Sequence, residues 1–182
     1  MGKATKISII NSIFLLVLVV TEMTGVIKYN LIFSFNVHKL LHILGVAMFF
    51  GNMIVGPVWL FMAIRSKNMQ TVRFAFSLLA LTDIAFTVTG IDLTILNGLF
   101  MASVYGGTQV LPWIKYSVHL LFAMWILSIP VIYIQEMLYK EGKEADSVTP
   151  KMKKYLILWS IWGSILSIPP SIVFYLMVVK GW

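Results

Sequence analysis

Long apolar runs divided by short polar breaks organise this sequence. Five runs, 7–27, 37–64, 72–104, 113–138 and 155–179, are long enough to cross a bilayer, which takes about 20 apolar residues in a helix. The run 72–104 exceeds that need and is expected to tilt or project. The one markedly polar break is the loop 139–154, YKEGKEADSVTPKMKK. Ser147 or Thr149 can cap the last helix there, with Pro150 in its first turn. Pro169-Pro170 interrupts the last run and predicts a kink whose freed carbonyls are satisfied by neighbours. The pattern predicts an all-α, polytopic membrane protein: five transmembrane helices in a single membrane domain, 1–182.

The polar residues inside these runs are not scattered. At about 100° per helical residue, His38, His42, Gly45 and Asn52 fall within about 40° of one stripe. Asp83, Thr87, Gly90, Thr94 and Asn97 form a second stripe on the third run. Lys115, Tyr116 and His119 share a face of the fourth, continued by Ala123 and Pro130. Such small and polar seams are expected to pack against one another. At 1.5 Å per residue, His42 lies about 7 Å into its span and His119 about 9 Å beyond Trp113. The three histidines are thus expected at one level, with Asp92 and Asn97 in the same half of the bilayer. Asp83 falls near the midplane, where an ionised carboxylate costs about 2.5–3.5 kcal/mol on insertion scales, so it should be paired or protonated. The plain reading of each feature is structural: histidines that tie helices together, and an Asp83 that packs with Thr87.

Charge sets the orientation. With the N-terminus inside, the inner side carries Lys3, Lys6, Arg65, Lys67, Arg73, Lys140, Lys143, Lys151, Lys153 and Lys154; the outer side carries Lys28, Lys39, Lys115 and Lys180. The positive-inside rule then places the N-terminus in the cytoplasm and the C-terminus outside. Trp113 and Trp182 fall at the outer interface, where aromatic anchors belong, and Glu22 is expected there too. The first run follows Lys3 and Lys6 like a signal peptide, but TEMTGVIK offers no small-x-small cleavage site, so a retained helix is expected. Overall the chain is 59% hydrophobic and only 12% charged, with a mean hydropathy of +0.91. The net charge of +7 is therefore read as topogenic, and no basic stripe interleaved with aromatics points to nucleic acid. The chain has no cysteine, which removes disulfides, thiolate metal sites and cysteine catalysis. No nucleophile–base pairing, phosphate loop or zinc-protease spacing argues for a hydrolase or kinase.

Three function classes stay open on these residues. Neutral imidazoles suit iron, copper and zinc, and histidines from two helices of a bundle hold b-type haem. His42 with His119 is the preferred metal-ligating pair, with His38 as a supporting or alternative ligand. Lys115, Lys39 and Tyr116 are near enough in sequence to meet haem propionates. Copper on His38, His42 and His119, with Met48 or Met53, is the alternative cofactor. This reading makes the protein a haem-dependent oxidoreductase or electron carrier, partnered by a quinone, a porphyrin or a redox protein. The second class is a metal-ion or proton transporter that uses Asp83, with Thr87, Asn97, Asn52 and Asp92 as further intramembrane polar groups. The third is a non-catalytic subunit of a membrane complex or a homo-oligomer. VHKLL (37–41) echoes VHLLF (118–122), which is compatible with a repeat of helix pairs.

The stretches KLLHILG (39–45), LTDIAFTVTG (81–90), the NG step at 97–98, WIKY (113–116), IPVIYIQEMLYK (129–140), KKYLILWSIWG (153–163) and LMVVKGW at the end resemble a prokaryotic family of predicted integral membrane proteins. That family is similar to the CopD copper-resistance membrane proteins and the HemJ-type protoporphyrinogen oxidases. The resemblance implies a four-helix bundle core of helices 2–5 with an N-terminal helix added, in the prokaryotic inner membrane. His42 matches the family's Leu-His step, and HemJ-type relatives imply haem b over copper. Asp83 matches an Asp-Trp step, with Ile84 in place of the aromatic. His119 matches no hallmark position.

Overall fold

The computed structural model describes residues 2–179, all in helices and their connections, with no strand among them. Five helices are long and apolar enough to span a membrane: Thr5–Met23, Phe35–Arg65, Met69–Ser103, Pro112–Glu144 and Pro150–Val179. Their elements are α1 (Lys3–Met23), α2 (Phe35–Arg65), α3 (Met69–Thr82), a π-helical segment (Asp83–Val88), α4 (Thr89–Ser103), α5 (Pro112–Glu144), α6 (Pro150–Leu166) and α7 (Ile168–Val179). Lys180 and Trp182, expected at the outer interface, lie outside the described residues.

Local chemistry sets most of the ends. The Ser34 side chain accepts from the Val37 N–H to start α2, and Asn68 accepts from Gln70 and Thr71 to start α3. Thr149 accepts from Met152 ahead of Pro150 to start α6; of the two capping residues expected, Thr149 takes the role. α5 runs on to Glu144, past the apolar run's end at 138. Lys140, Lys143 and Glu141 are good helix formers, and the Glu141–Lys151 ion pair at 2.8 Å ties this extension to α6. α6 and α7 meet at Ser167 beside buried Pro169 and Pro170. Pro169 and Pro170 have no N–H to continue the ladder, which places the break there.

The bundle core is two helix pairs. α2 packs along α4, and α5 packs along α6 and α7. In the first pair the backbones nearly touch. A Cβ on Gly45 would sit 2.6 Å from the Gly90 carbonyl oxygen, and one on Gly90 would sit 2.8 Å from that of Gly45. This close crossing is the small-residue seam of the sequence. The pairs join at one end through an apolar cluster that includes Leu60, Val72, Leu79, Leu138, Met152 and Trp159. α1 lies against α4 and the π segment. Its Leu15 and Val19 pack with Ile95, Leu99 and Val118 toward the opposite end, while Ile10, Ile13, Phe14 and Val17 are exposed, as a lipid-facing surface requires.

Candidate functional site

Between the two pairs lies a cavity of about 690 Å³. Its polar centre is Asp83, the first residue of the π segment. Asp83 Oδ1 accepts from Asn52 Nδ2 of α2 at 3.1 Å, and Oδ2 accepts from Gln135 Nε2 of α5 at 2.9 Å. Asn52 Nδ2 also donates to Thr87 Oγ1 at 2.8 Å. Gln135 Oε1 in turn accepts from Trp159 Nε1 of α6 at 3.3 Å. Four helical elements thus converge on one carboxylate through neutral groups. Among the described residues no lysine, arginine or histidine forms an ion pair with Asp83.

The π turn belongs to this arrangement. An i→i+5 bond encloses one more residue than the α-helical i→i+4 bond, and such turns concentrate at functional sites. Here the segment presents both Asp83 and Thr87 to Asn52, and Thr89 Oγ1 donates back to the Ile84 carbonyl at 3.2 Å.

The cavity is asymmetric along the bundle. It reaches Gly2, Glu136 and Lys143 at one end. Gln135 and Lys143 are eight residues apart on α5, so that mouth lies about 12 Å from the carboxylate at 1.5 Å per residue. Thr5, Ser8 and Ser12 of α1 line its side. At the other end the cluster of Leu15, Val19, Ile95, Leu99 and Val118 fills the bundle. α1 is fastened at three levels. Glu136 accepts from the Gly2 N–H at 2.8 Å and from the Thr5 hydroxyl. Asp92 accepts from Asn11 Nδ2 at 2.7 Å. Glu22 accepts from the Thr108 N–H at 3.0 Å and from its hydroxyl.

The histidines do not share a cavity. His38 is 1% exposed. Its Nε2 accepts from the Ile32 and Phe33 N–H groups at 3.3 and 3.2 Å, so Nδ1 holds the proton and donates to Asn97 Oδ1 at 2.8 Å. Both nitrogens are engaged, and His38 therefore ties the α1–α2 connection to α4 rather than offering a lone pair to iron or copper. His42 donates from Nδ1 to the Thr94 carbonyl at 2.7 Å, inside the α2–α4 contact. His119 is exposed and donates from Nδ1 to Lys115 of its own helix at 2.7 Å. It lines a shallow surface groove with Lys115, Tyr116 and Gln109, and His42 lines neither that groove nor the central cavity. His42 and His119 accordingly do not form the facing pair expected of two axial ligands. Among the described residues no three or more His, Asp or Glu side chains gather as a metal site.

Of the polar residues singled out from sequence, Asp83, Asn52 and Thr87 meet, whereas Asn97 and Asp92 serve His38 and Asn11. Sequence reasoning missed Gln135, Trp159 and the polar face of α1. A glutamine deep in IPVIYIQEM and an asparagine within the first apolar run were the available signals.

A family model described as "Predicted integral membrane protein (DUF2269)" matches residues 36–181, leaving α1 outside the match. No curated protein and no solved structure matches the chain.

Proposed function

The chain belongs to the DUF2269 family of predicted integral membrane proteins, and from that premise we propose that it binds a single positive charge at Asp83 and moves it across the membrane. The observation that carries this reading is a carboxylate in the cavity between the helix pairs, held by two amides and paired with no cation among the described residues. Amide donors orient a carboxylate without cancelling its charge. In a membrane interior that charge is neutralised by a proton or a bound cation. Neutralisation on binding and ionisation on release are the elementary steps of such a carrier. The reach of the cavity to Gly2 and Lys143 supports access from that end, and the excess of lysine and arginine on that side supports a cytoplasmic location for it.

The test is cation or proton flux into liposomes loaded with a pH- or ion-sensitive dye. Wild type should show flux. Asp83→Asn should lose it, and Asp83→Glu should retain part. Equal flux in wild type and Asp83→Asn would remove Asp83 from the mechanism.

A second reading keeps haem b, with His42 as the one ligand and a redox reaction as the outcome. It is favoured by the His42 bond to Thr94, since donating Nδ1–H to a carbonyl is what orients an imidazole for ligation through Nε2. The pairing with His119 is left out of it, because His42 sits in the α2–α4 contact and His119 lines a surface groove. A reduced-minus-oxidised spectrum of protein expressed with ample haem should then show a b-type α-band that His42→Ala removes; a flat spectrum would end this reading.

A further inference from the structure

We propose that the positive charge taken up at Asp83 is an organic monocation, an ammonium with an apolar body, rather than a bare metal ion. The inference rests on the reading of Asp83 as the binding carboxylate, and it names the class of substrate.

The donor set disfavours a metal ion. A dehydrated cation needs about six oxygens around it, and Asp83 is the only acid at the polar centre. The neighbouring amides are turned the wrong way. Asn52 and Gln135 present their NH₂ groups to the carboxylate, and the Gln135 oxygen is taken by the Trp159 indole. The remaining oxygens beside the carboxylate are neutral amide and hydroxyl groups, so a metal ion there would have a single anionic ligand. No larger cluster of ligating side chains forms elsewhere among the described residues.

The walls suit an organic cation. Phe49, Trp125, Tyr139 and Trp159 line the cavity from three helices, and aromatic faces attract ammonium groups most strongly where water is excluded. Tyr139 packs on Phe76 with ring centroids 5.3 Å apart, which stiffens that wall. The volume of about 690 Å³ far exceeds what a proton or a metal ion needs. It falls within the roughly 300–1,000 Å³ of pockets that enclose small organic ligands. Asp83 is the carboxylate at the centre, flanked by aromatic rings, while Glu136 and Lys143 lie at the Gly2 end; that centre is the complement of one cationic centre carrying hydrocarbon. A quaternary ammonium has no N–H, so it engages only the charge and the aromatic faces and serves as a clean probe of both.

The experiment is a titration of the purified full chain with tetrapropylammonium, read by tryptophan fluorescence, with Na⁺ and K⁺ as competitors. The expected result is saturable quenching that neither metal ion displaces. Asp83→Asn should abolish it. Phe49→Leu, three residues before Asn52 on α2, keeps an apolar wall but removes a ring near the carboxylate and should weaken it about tenfold. The wild-type competition needs no variant and stands even if one folds poorly. Displacement by Na⁺ or K⁺ at equal concentration, or undiminished quenching in folded Asp83→Asn, would overturn the proposal. If wild type binds no tetrapropylammonium while liposome flux still depends on Asp83, the substrate class is wrong and the role of Asp83 stands. If both vanish, both readings fall.

Discussion

At the residue scale, side chains of one type carry different duties, and their hydrogen bonds tell them apart. His38 serves three partners at once, accepting two loop N–H groups and donating to Asn97. Removing it leaves the Ile32 and Phe33 N–H groups without their acceptor and buried Asn97 without its donor, a lost bond costing about 1–3 kcal/mol. His38→Ala should therefore lower stability by about 2–4 kcal/mol, visible as a clear drop in the melting temperature in detergent. His119, exposed and bonded only to its own helix, should tolerate alanine within about 0.5 kcal/mol. A similar loss in the two variants would contradict these assignments. Spacing in the sequence placed both imidazoles on polar stripes, but a stripe says nothing about which nitrogen is engaged. That is decided by the backbone of residues 32–33, whose path no periodicity encodes. Asp83 was legible because a carboxylate near a bilayer midplane needs a partner. Gln135 was harder to read, because a neutral amide carries no such demand and only the fold brings it to within 2.9 Å of Asp83.

Elements are built from these choices. The α2–α4 crossing depends on Gly45 and Gly90, where any Cβ would meet the opposite backbone below 3 Å. Backbone cannot rotate away as a side chain can, so Gly45→Ala should cost about 1–3 kcal/mol as overpacking. Gly51, with open space around its Cβ position, should accept alanine with little loss. Comparing the two melting curves checks the crossing. Gly107 is constrained twice, by a φ of 111° and by Glu22 Oε1 at 2.8 Å from where a Cβ would sit. The helices themselves were readable from apolar runs because the bilayer fixes their length. The extension of α5 to Glu144 and the π turn were not. The first is held by charge contacts to α6, and the second by the side-chain partners of Asp83 and Thr87. α1 adds a polar wall to the cavity and is latched by Glu136, Asp92 and Glu22. Breaking the middle latch with Asn11→Leu should leave the other helices folded but raise exchange of amide hydrogens along α1, as measured by mass spectrometry. Unchanged exchange would mean that the Asn11–Asp92 bond adds nothing to the hold on α1.

For the whole molecule, the account joins a two-pair bundle, a cavity between the pairs and a mouth at the Gly2 end. The proposed orientation rests on charge and is testable in a chain that has no native cysteine. Lys115→Cys should react with an impermeant thiol reagent from outside intact cells, and Lys153→Cys only after the membrane is opened; the reverse pattern would invert the topology. The central claim is that Asp83 carries the charge that crosses. The most direct measurement is charge displacement on a solid-supported membrane after a rapid jump in pH or in organic cation. Wild type should give a transient current, and Asp83→Asn, reconstituted to the same density, should give none. A current of equal size from that variant would contradict the account.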